Sequence, residues 1–360
     1  MARVGLIFGG RSTEHKVSIT SARTVAQGLE EAGHEVLPLG IAPDGVWLDA
    51  ASSRRALAGE IDAFEAGGGA VAPSLRHLLD AGAEVLFPIV HGTWGEDGTL
   101  QGLAEICDLP YVGAGVTPSA IAMDKLYAKR VLAAAGLPVV DDEAVEGRDF
   151  EADPEKIFKR LERLEPPVFV KPSVGGSSVG VSKVPHRECL STAIQEGLRF
   201  DDKLLVERGI VGRELECAVL GYRELKASVI GEIVAGREFY DYTDKYLEDG
   251  AQLHAPADLP SEVSDRLRAL AVQAFRAIGG WGMARVDFLL EKATGEVFIN
   301  EINTLPGFTS ISMYPRLWSL TGVPLAELVD RLVEIAKERH ADRHRLDRGI
   351  KEWIAALEGR

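Results

Sequence analysis

At 360 residues the chain exceeds what one hydrophobic core usually organises, so two or three α/β units sharing a cleft are expected. A formal net charge of -15 excludes a general nucleic-acid binder, and no apolar run is long enough to span a bilayer, so neither nucleic acid nor membrane is a partner. Cys107, Cys189 and Cys217 are scattered without CxxC spacing and read as buried free thiols, and the short apolar start reads as a first strand rather than a secretory signal, which places the protein in the cytoplasm.

In chain order, Val4 to Phe8 reads as a strand running through Gly9-Gly10 into a helix that Gly33 ends, and His34 to Ile41 resumes as a strand, one βαβ unit. The alanine- and glycine-rich stretch from Ala50 to Gly82 carries weak periodicity and reads as insertions and helix. Val85 to Val90 is a buried strand whose end carries His91-Gly92 and then Gly95 to Gly102, a loop placed where open α/β sheets bind ligands. Thr117-Pro118 predicts a helix start, with one helix carrying Asp124-Lys125 to Ala135 and stopping at Gly136. Strands follow at Val168 to Lys171, Val179 to Val184 and Leu204 to Glu207, with a helix between the last two. A helix around Ser261 to Ala277 precedes a hairpin, and an amphipathic helix starts near Pro324. From Glu338 to Arg360 the charged chain, with Trp353, Ile354 and Leu357, reads as a short packed helix or a frayed tail.

The hairpin carries the chemistry. Arg285 and Asp287 lie two apart in one apolar run, and Glu301 and Asn303 lie two apart in the next, so each pair shares a strand face. A turn centred near Thr294 sets Asp287 opposite Glu301 and Arg285 opposite Asn303. Facing carboxylates repel, and oxygen ligands from Asp, Glu and Asn suit magnesium carrying a nucleotide phosphate; the plainer reading is a polar sheet face with Arg285 paired to Asp287. Lys171 opens a second stretch, Pro172 to Gly180, which reads as a glycine-serine flap over phosphates. Neither GxxxxGK[ST] nor GxGxxG occurs there in its required context. Glu207 ends a strand and Glu214 follows a glycine turn, both placed to accept hydrogen bonds from adenine or ribose. The aromatic and charged segment from Phe239 to Tyr246 reads as a lid.

In this order the flap lysine, strand-end glutamate, Lys-Tyr lid and Arg-Asp/Glu-Asn hairpin resemble the ATP-grasp superfamily, and in detail its D-alanine:D-alanine ligase family. The specific motifs are His91-Gly92 with Gly95 to Gly102, Met123-Asp124-Lys125, the Lys171 to Gly180 flap, and Asn300 to Ser310. The resemblance implies an α/β (α+β) three-domain architecture: an N-terminal open α/β substrate-side domain at 1–116, a central subdomain with the flap at 117–210, a C-terminal subdomain with lid and metal hairpin at 211–340, and a charged tail at 341–360. The ATP site lies between the central and C-terminal domains. It further implies that Lys125, Lys171, Ser178, Glu207, Arg208, Ile210, Glu214 and Lys245 bind ATP. By the same resemblance Asp287, Glu301 and Asn303 hold two magnesium or manganese ions. Glu14 would receive the ammonium of the first D-alanine, with His91 beside it and Ser177 and Tyr246 closing the site. Arg285 and the backbone at Gly307 would stabilise an oxyanion, and Ser312 would bind the carboxylate of the second D-alanine. Ser310 has no assigned role, and relatives imply a homodimer. Arg208 after Glu207 departs from many relatives. Two readings compete with D-alanyl-D-alanine synthesis for peptidoglycan precursors: a related carboxylate-amine or depsipeptide ligase with D-lactate or D-serine as acceptor, and a non-catalytic ATP-binding regulatory module.

Overall fold

The computed structural model describes residues 1–234 and 252–358. β1 (Arg3–Gly9), β2 (Glu35–Ile41) and β3 (Val85–Pro88) form a parallel sheet in the order β2-β1-β3. β1 is central, and its run from Val4 to Gly9 is buried throughout, as a strand covered on both faces requires. The His15–Glu31 helix packs back through Ile19, Ala22, Val25 and Leu29, spaced three and four apart, and completes the expected βαβ unit. At the end of β1, Gly9 has φ +89°, and a Cβ there would lie 2.3 Å from the Ile41 carbonyl oxygen. Only glycine permits this turn, which delivers Ser12 to His15 to the cleft described below. Between residues 50 and 82 only the Ala50–Leu57 helix and two single helical turns form, and Phe64 packs on Phe8 at 5.8 Å.

The single helix expected across Asp124 is two helices, Val116–Met123 and Lys125–Ala134. Asp124 (φ -90°, ψ 101°) caps the second: its carboxylate accepts from the Leu126 and Tyr127 N–H groups and the Ser173 hydroxyl, and pairs with Lys203. The Lys125 N–H donates to the Ser173 carbonyl at 2.8 Å, so the helix breaks where the flap edge offers better partners.

β4 (Asp142–Glu146), β5 (Val168–Pro172), β6 (Ser182–Val184) and β7 (Lys203–Arg208) form an antiparallel sheet ordered β4-β7-β5-β6. β6 is shorter than the expected Val179–Val184 strand because Ser177 to Gly180 form a turn. The third sheet, antiparallel and ordered β10-β9-β8-β11-β12, contains β8 (Gly212–Gly221), β9 (Leu225–Val234), β10 (Gln252–His254), β11 (Gly282–Glu291) and β12 (Val297–Asn303). β8 and β9 were not anticipated from sequence; the Ser261–Ala277 helix, which was, packs against this sheet through Leu267, Ala271 and Phe275.

Packing cuts the chain differently from the boundaries read in the sequence. Ala122 and Leu132, from the helices flanking Asp124, join the core of the five-stranded sheet rather than that of the four-stranded one. Met313, Trp318, Leu328 and Val333 share a core with β1 and the His15–Glu31 helix. Leu325–Glu358 is one helix, and Trp353 near its end is 64% exposed rather than packed. Of the cysteines, only Cys217 is buried, Cys107 being half-buried and Cys189 exposed. Among the described residues no helix is long and apolar enough to cross a membrane.

Candidate active site

Register on the five-stranded sheet lines up Glu216 of β8, Asp287 of β11 and Glu301 of β12 in one row. Asp287 opposes Glu301 and Arg285 opposes Asn303, as the sequence predicts, but by another route. Near the turn Leu290 pairs with Val297 and Phe288 with Ile299; continued regularly, that ladder would set Asp287 against Asn300. A bulge at Asn300 supplies the extra residue and turns Glu301 onto the row, the usual consequence of a bulge beside a site.

Arg285 compensates part of the row's charge. Its Nε and Nη2 donate to Asp287 Oδ1 and Oδ2 at 2.7 Å each, and Nε lies 3.1 Å from Glu216 Oε1. Burial works against the charged guanidinium, yet Asp287 and Glu216 outweigh it and hold the Arg285 pKa well above its ordinary value. The plainer pairing of Arg285 with Asp287 is therefore present, within a row that also holds Glu216 and Glu301. Asn303 Nδ2 donates to Asp287 Oδ2 at 2.9 Å, which turns its amide oxygen away from Asp287. Two carboxylates and an amide oxygen are a donor set that fits a hard divalent cation.

Across the cleft, Glu207 is 4% exposed and accepts from Lys129 Nζ at 2.7 Å and from Lys171 Nζ. Burial would raise its pKa, but the two lysines overcome this and hold it at about 2. Lys171 is half-buried, and desolvation alone would lower its pKa; Glu207, Glu301 and Glu214 keep it raised. The Glu207 carboxylate thus engages two lysines. The Arg208 guanidinium turns to Glu291 at 2.6 Å over the Phe298 ring.

Lys125 Nζ donates to the Gly175 carbonyl at 2.7 Å, tying its helix to the flap. Ser177 and Ser178 hold φ of +51° and +56°, left-handed conformations that non-glycine residues seldom adopt and that concentrate at ligand clamps. A Cβ on Gly176 would lie 3.1 Å from Glu14 Oε2, and one on Gly92 3.0 Å from the same oxygen, so two glycines make room for that carboxylate. His91 is buried; its Nε2 contacts Ser21 Oγ at 2.9 Å and its Nδ1 the Leu305 carbonyl at 3.0 Å, with Glu96 at 3.6 Å. Burial alone would lower the His91 pKa, but Glu96 and Glu14 raise it; burial raises that of Glu96. Ser312 Oγ accepts the Thr309 N–H at 3.0 Å, and a Cβ on Gly307 would meet that hydroxyl oxygen at 2.8 Å.

One cleft of about 1210 Å³ gathers these groups, with Glu14 and His91 from the N-terminal unit, Lys125, Lys171, Ser177, Ser178, Glu207, Arg208 and Ile210 from the flap side, and Glu214, Arg285, Asp287, Glu301, Asn303, Gly307 and Ser312 from the remainder. Lys245 and Tyr246 lie outside the described residues. Sequence reasoning missed Lys129, Glu216 and Glu96. Signals existed for two of them: Lys129 lies one helical turn after Lys125, and Glu216 lies two after Glu214 on a strand.

Two family descriptions match the chain: D-ala D-ala ligase N-terminus over residues 3–114 and D-ala D-ala ligase C-terminus over residues 131–334. A D-alanine–D-alanine ligase of Solibacter usitatus is 46% identical over 338 residues, covering 94% of this chain and 96% of that protein. One from Chloroherpeton thalassium is 44% identical, covering 95% and 98%. Among solved structures, the D-alanine-D-alanine ligase from Coxiella burnetii superposes with a TM-score of 0.82 at 36% identity, covering 98% of this chain and 99% of that one. The VanG D-Ala:D-Ser ligase from Enterococcus faecalis gives 0.79 at 31%, covering 93% and 99%. With both halves matched and near-complete coverage by relatives, the chain belongs to the D-alanine–D-alanine ligase family of ATP-grasp enzymes.

Proposed function

We propose that this protein joins two D-alanine molecules into D-alanyl-D-alanine, a peptidoglycan precursor, with conversion of ATP to ADP and phosphate. The observation that carries the reading is the acidic row Glu216-Asp287-Glu301 facing Lys171 and the flap within one cleft that also holds Glu14 and His91. A free carboxylate has no usable leaving group, so the first D-alanine must be activated. Its carboxylate oxygen attacks the γ-phosphorus, the bond to ADP breaks, and an acylphosphate results. Lys125, Lys171 and the flap backbone at Ser177 and Ser178 position the phosphates, while Glu14 holds the substrate ammonium. Asp287, Glu301 and Asn303 would hold two divalent ions, magnesium or manganese, whose charge would offset that of the phosphates.

The neutral amine of the second D-alanine then attacks the acyl carbon. Arg285 and backbone N–H groups near Gly307 stabilise the resulting oxyanion, Ser312 orients the acceptor carboxylate, and the amine loses a proton as inorganic phosphate leaves. Lys245 and Tyr246, by their place in the lid segment, would exclude water from the acylphosphate. A cytoplasmic location follows from the need for ATP, and a homodimer is part of the same proposal.

Similarity to a D-Ala:D-Ser ligase favours one second reading, a different acceptor. Product analysis with purified protein, Mg-ATP and a mixture of D-alanine, D-serine, D-lactate, glycine and L-alanine decides between them. D-alanyl-D-alanine should dominate; a mixed dipeptide or depsipeptide as main product establishes the second reading, and ATP binding without any ligated product defeats both.

A further inference from the structure

Asp108 follows the Thr99–Ile106 helix in a left-handed conformation (φ +54°) and faces the C-terminal helix at His340 and His344. The two histidines, four residues apart, share one helix face. Their Nε2 atoms are 3.3 Å apart, and Asp108 Oδ1 lies 3.2 Å from the first and 3.0 Å from the second. No placement of protons satisfies all three contacts. With both nitrogens protonated each donates to Asp108, His340 also reaching the Asp108 carbonyl at 3.1 Å, and the 3.3 Å contact between the rings is left without a bond. With one protonated, the bare nitrogen faces a carboxylate oxygen, and with neither, three sets of lone pairs converge. A cation between them uses every lone pair at once.

The dimensions agree with this. Ligands about 2.0–2.1 Å from a tetrahedral zinc ion are roughly 3.3 Å from one another. Among the described residues this is the one group of three His, Cys, Asp or Glu side chains with ligand atoms within 4.8 Å of each other. Arg339 and Arg343, on the same helix, turn away from Asp108 to share Glu105, which also accepts the Tyr111 hydroxyl and offsets one of their two charges. None of the three residues lines the active-site cleft, and both histidines lie beyond residue 334, where the family match ends.

We propose that Asp108, His340 and His344 form a site for a divalent transition metal, with water completing the coordination, that fastens the C-terminal helix to the N-terminal unit. Two imidazole nitrogens favour zinc over magnesium. The test uses the full chain, stripped with a chelator and returned to excess magnesium so that oxygen-rich sites are filled. It is then titrated with Co²⁺ as a spectroscopic stand-in for zinc. One equivalent should bind with the strong visible absorption of a low-coordinate nitrogen-ligated site, zinc should bleach that band, and zinc should raise the melting midpoint. His344 is 45% exposed, so His344→Ala should fold normally while losing the band and weakening binding by at least about 100-fold, more than loss of an outer partner costs. Asp108→Asn should shift affinity the same way. Absence of a stoichiometric band in the parent protein, or a band that survives in His344→Ala but vanishes in Glu301→Ala, would overturn the proposal.

Discussion

Glu207 shows at the residue scale how one carboxylate organises two lysines. Lys129 and Lys171 stand close together below the flap because Glu207 binds both, and breaking such a buried arrangement costs about 3–5 kcal/mol. Glu207→Gln should therefore lower the denaturation midpoint markedly and weaken ATP binding. The pH dependence has a definite sign. Because its folded pKa of about 2 lies below the usual 4.5, the stabilisation is complete above pH 4.5 and is lost as the pH falls from there through 2. Acid unfolding followed by circular dichroism should be shallower in Glu207→Gln across that window; superimposable curves would contradict the charge assignment. Glu301 makes a different prediction. At the end of the acidic row it would hold a divalent ion against the phosphates, so Glu301→Ala should cut phosphoryl transfer by about 10²–10³-fold while ATP affinity changes only a few-fold. Equal losses in single-turnover rate and nucleotide affinity would point to a structural role instead.

At the scale of elements, the flap and the broken helix belong together. Asp124 caps the Lys125–Ala134 helix and accepts the Ser173 hydroxyl, so helix start and flap base are one hydrogen-bonded unit. Asp124→Ala should cost at least the ~1 kcal/mol typical of a lost cap, and should raise the KM for ATP because Lys125 loses its anchor. Higher up, Ser178 occupies left-handed backbone that a β-branched residue tolerates poorly, at about 1–2 kcal/mol. Ser178→Val should raise the KM for ATP roughly tenfold while lowering the melting midpoint by only a few degrees, since the flap turn lies outside the buried core. A large fall in melting temperature with normal KM would reverse that assignment. The hairpin follows the same logic. Its turn gives the strands a register one residue off, and the bulge at Asn300 corrects it where the ligands sit.

Three sheets meet at one cleft in the whole molecule, and the C-terminal helices tie the first sheet to the rest through Met313, Leu328 and Val333. The final turns play no part in that core: Leu346, Ile350, Trp353, Ile354 and Leu357 are all exposed. A chain ending at Arg345, which keeps His340 and His344, should retain its turnover and lose less than about 1 kcal/mol of stability. Denaturant titration and product formation check both parts, and a collapse in either would show that the terminal turns are buried against something in solution.

The sequence by itself determined the first βαβ unit, the Ser261–Ala277 helix and the pairing of Asp287 with Glu301. These follow from local rules: apolar periodicity, glycine where φ is positive, and alternation along a strand. Tertiary structure decided what depends on a distant partner. Asp124 breaks a helix because Ser173 and Lys203 come to meet it; Glu216 enters the acidic row because β8 lies beside β11; and Glu207 binds lysines because Lys129 arrives from another element. Charge pairing between residues far apart in the chain leaves no periodic trace, since its energy depends on a separation and burial that exist only after the chain has closed on itself.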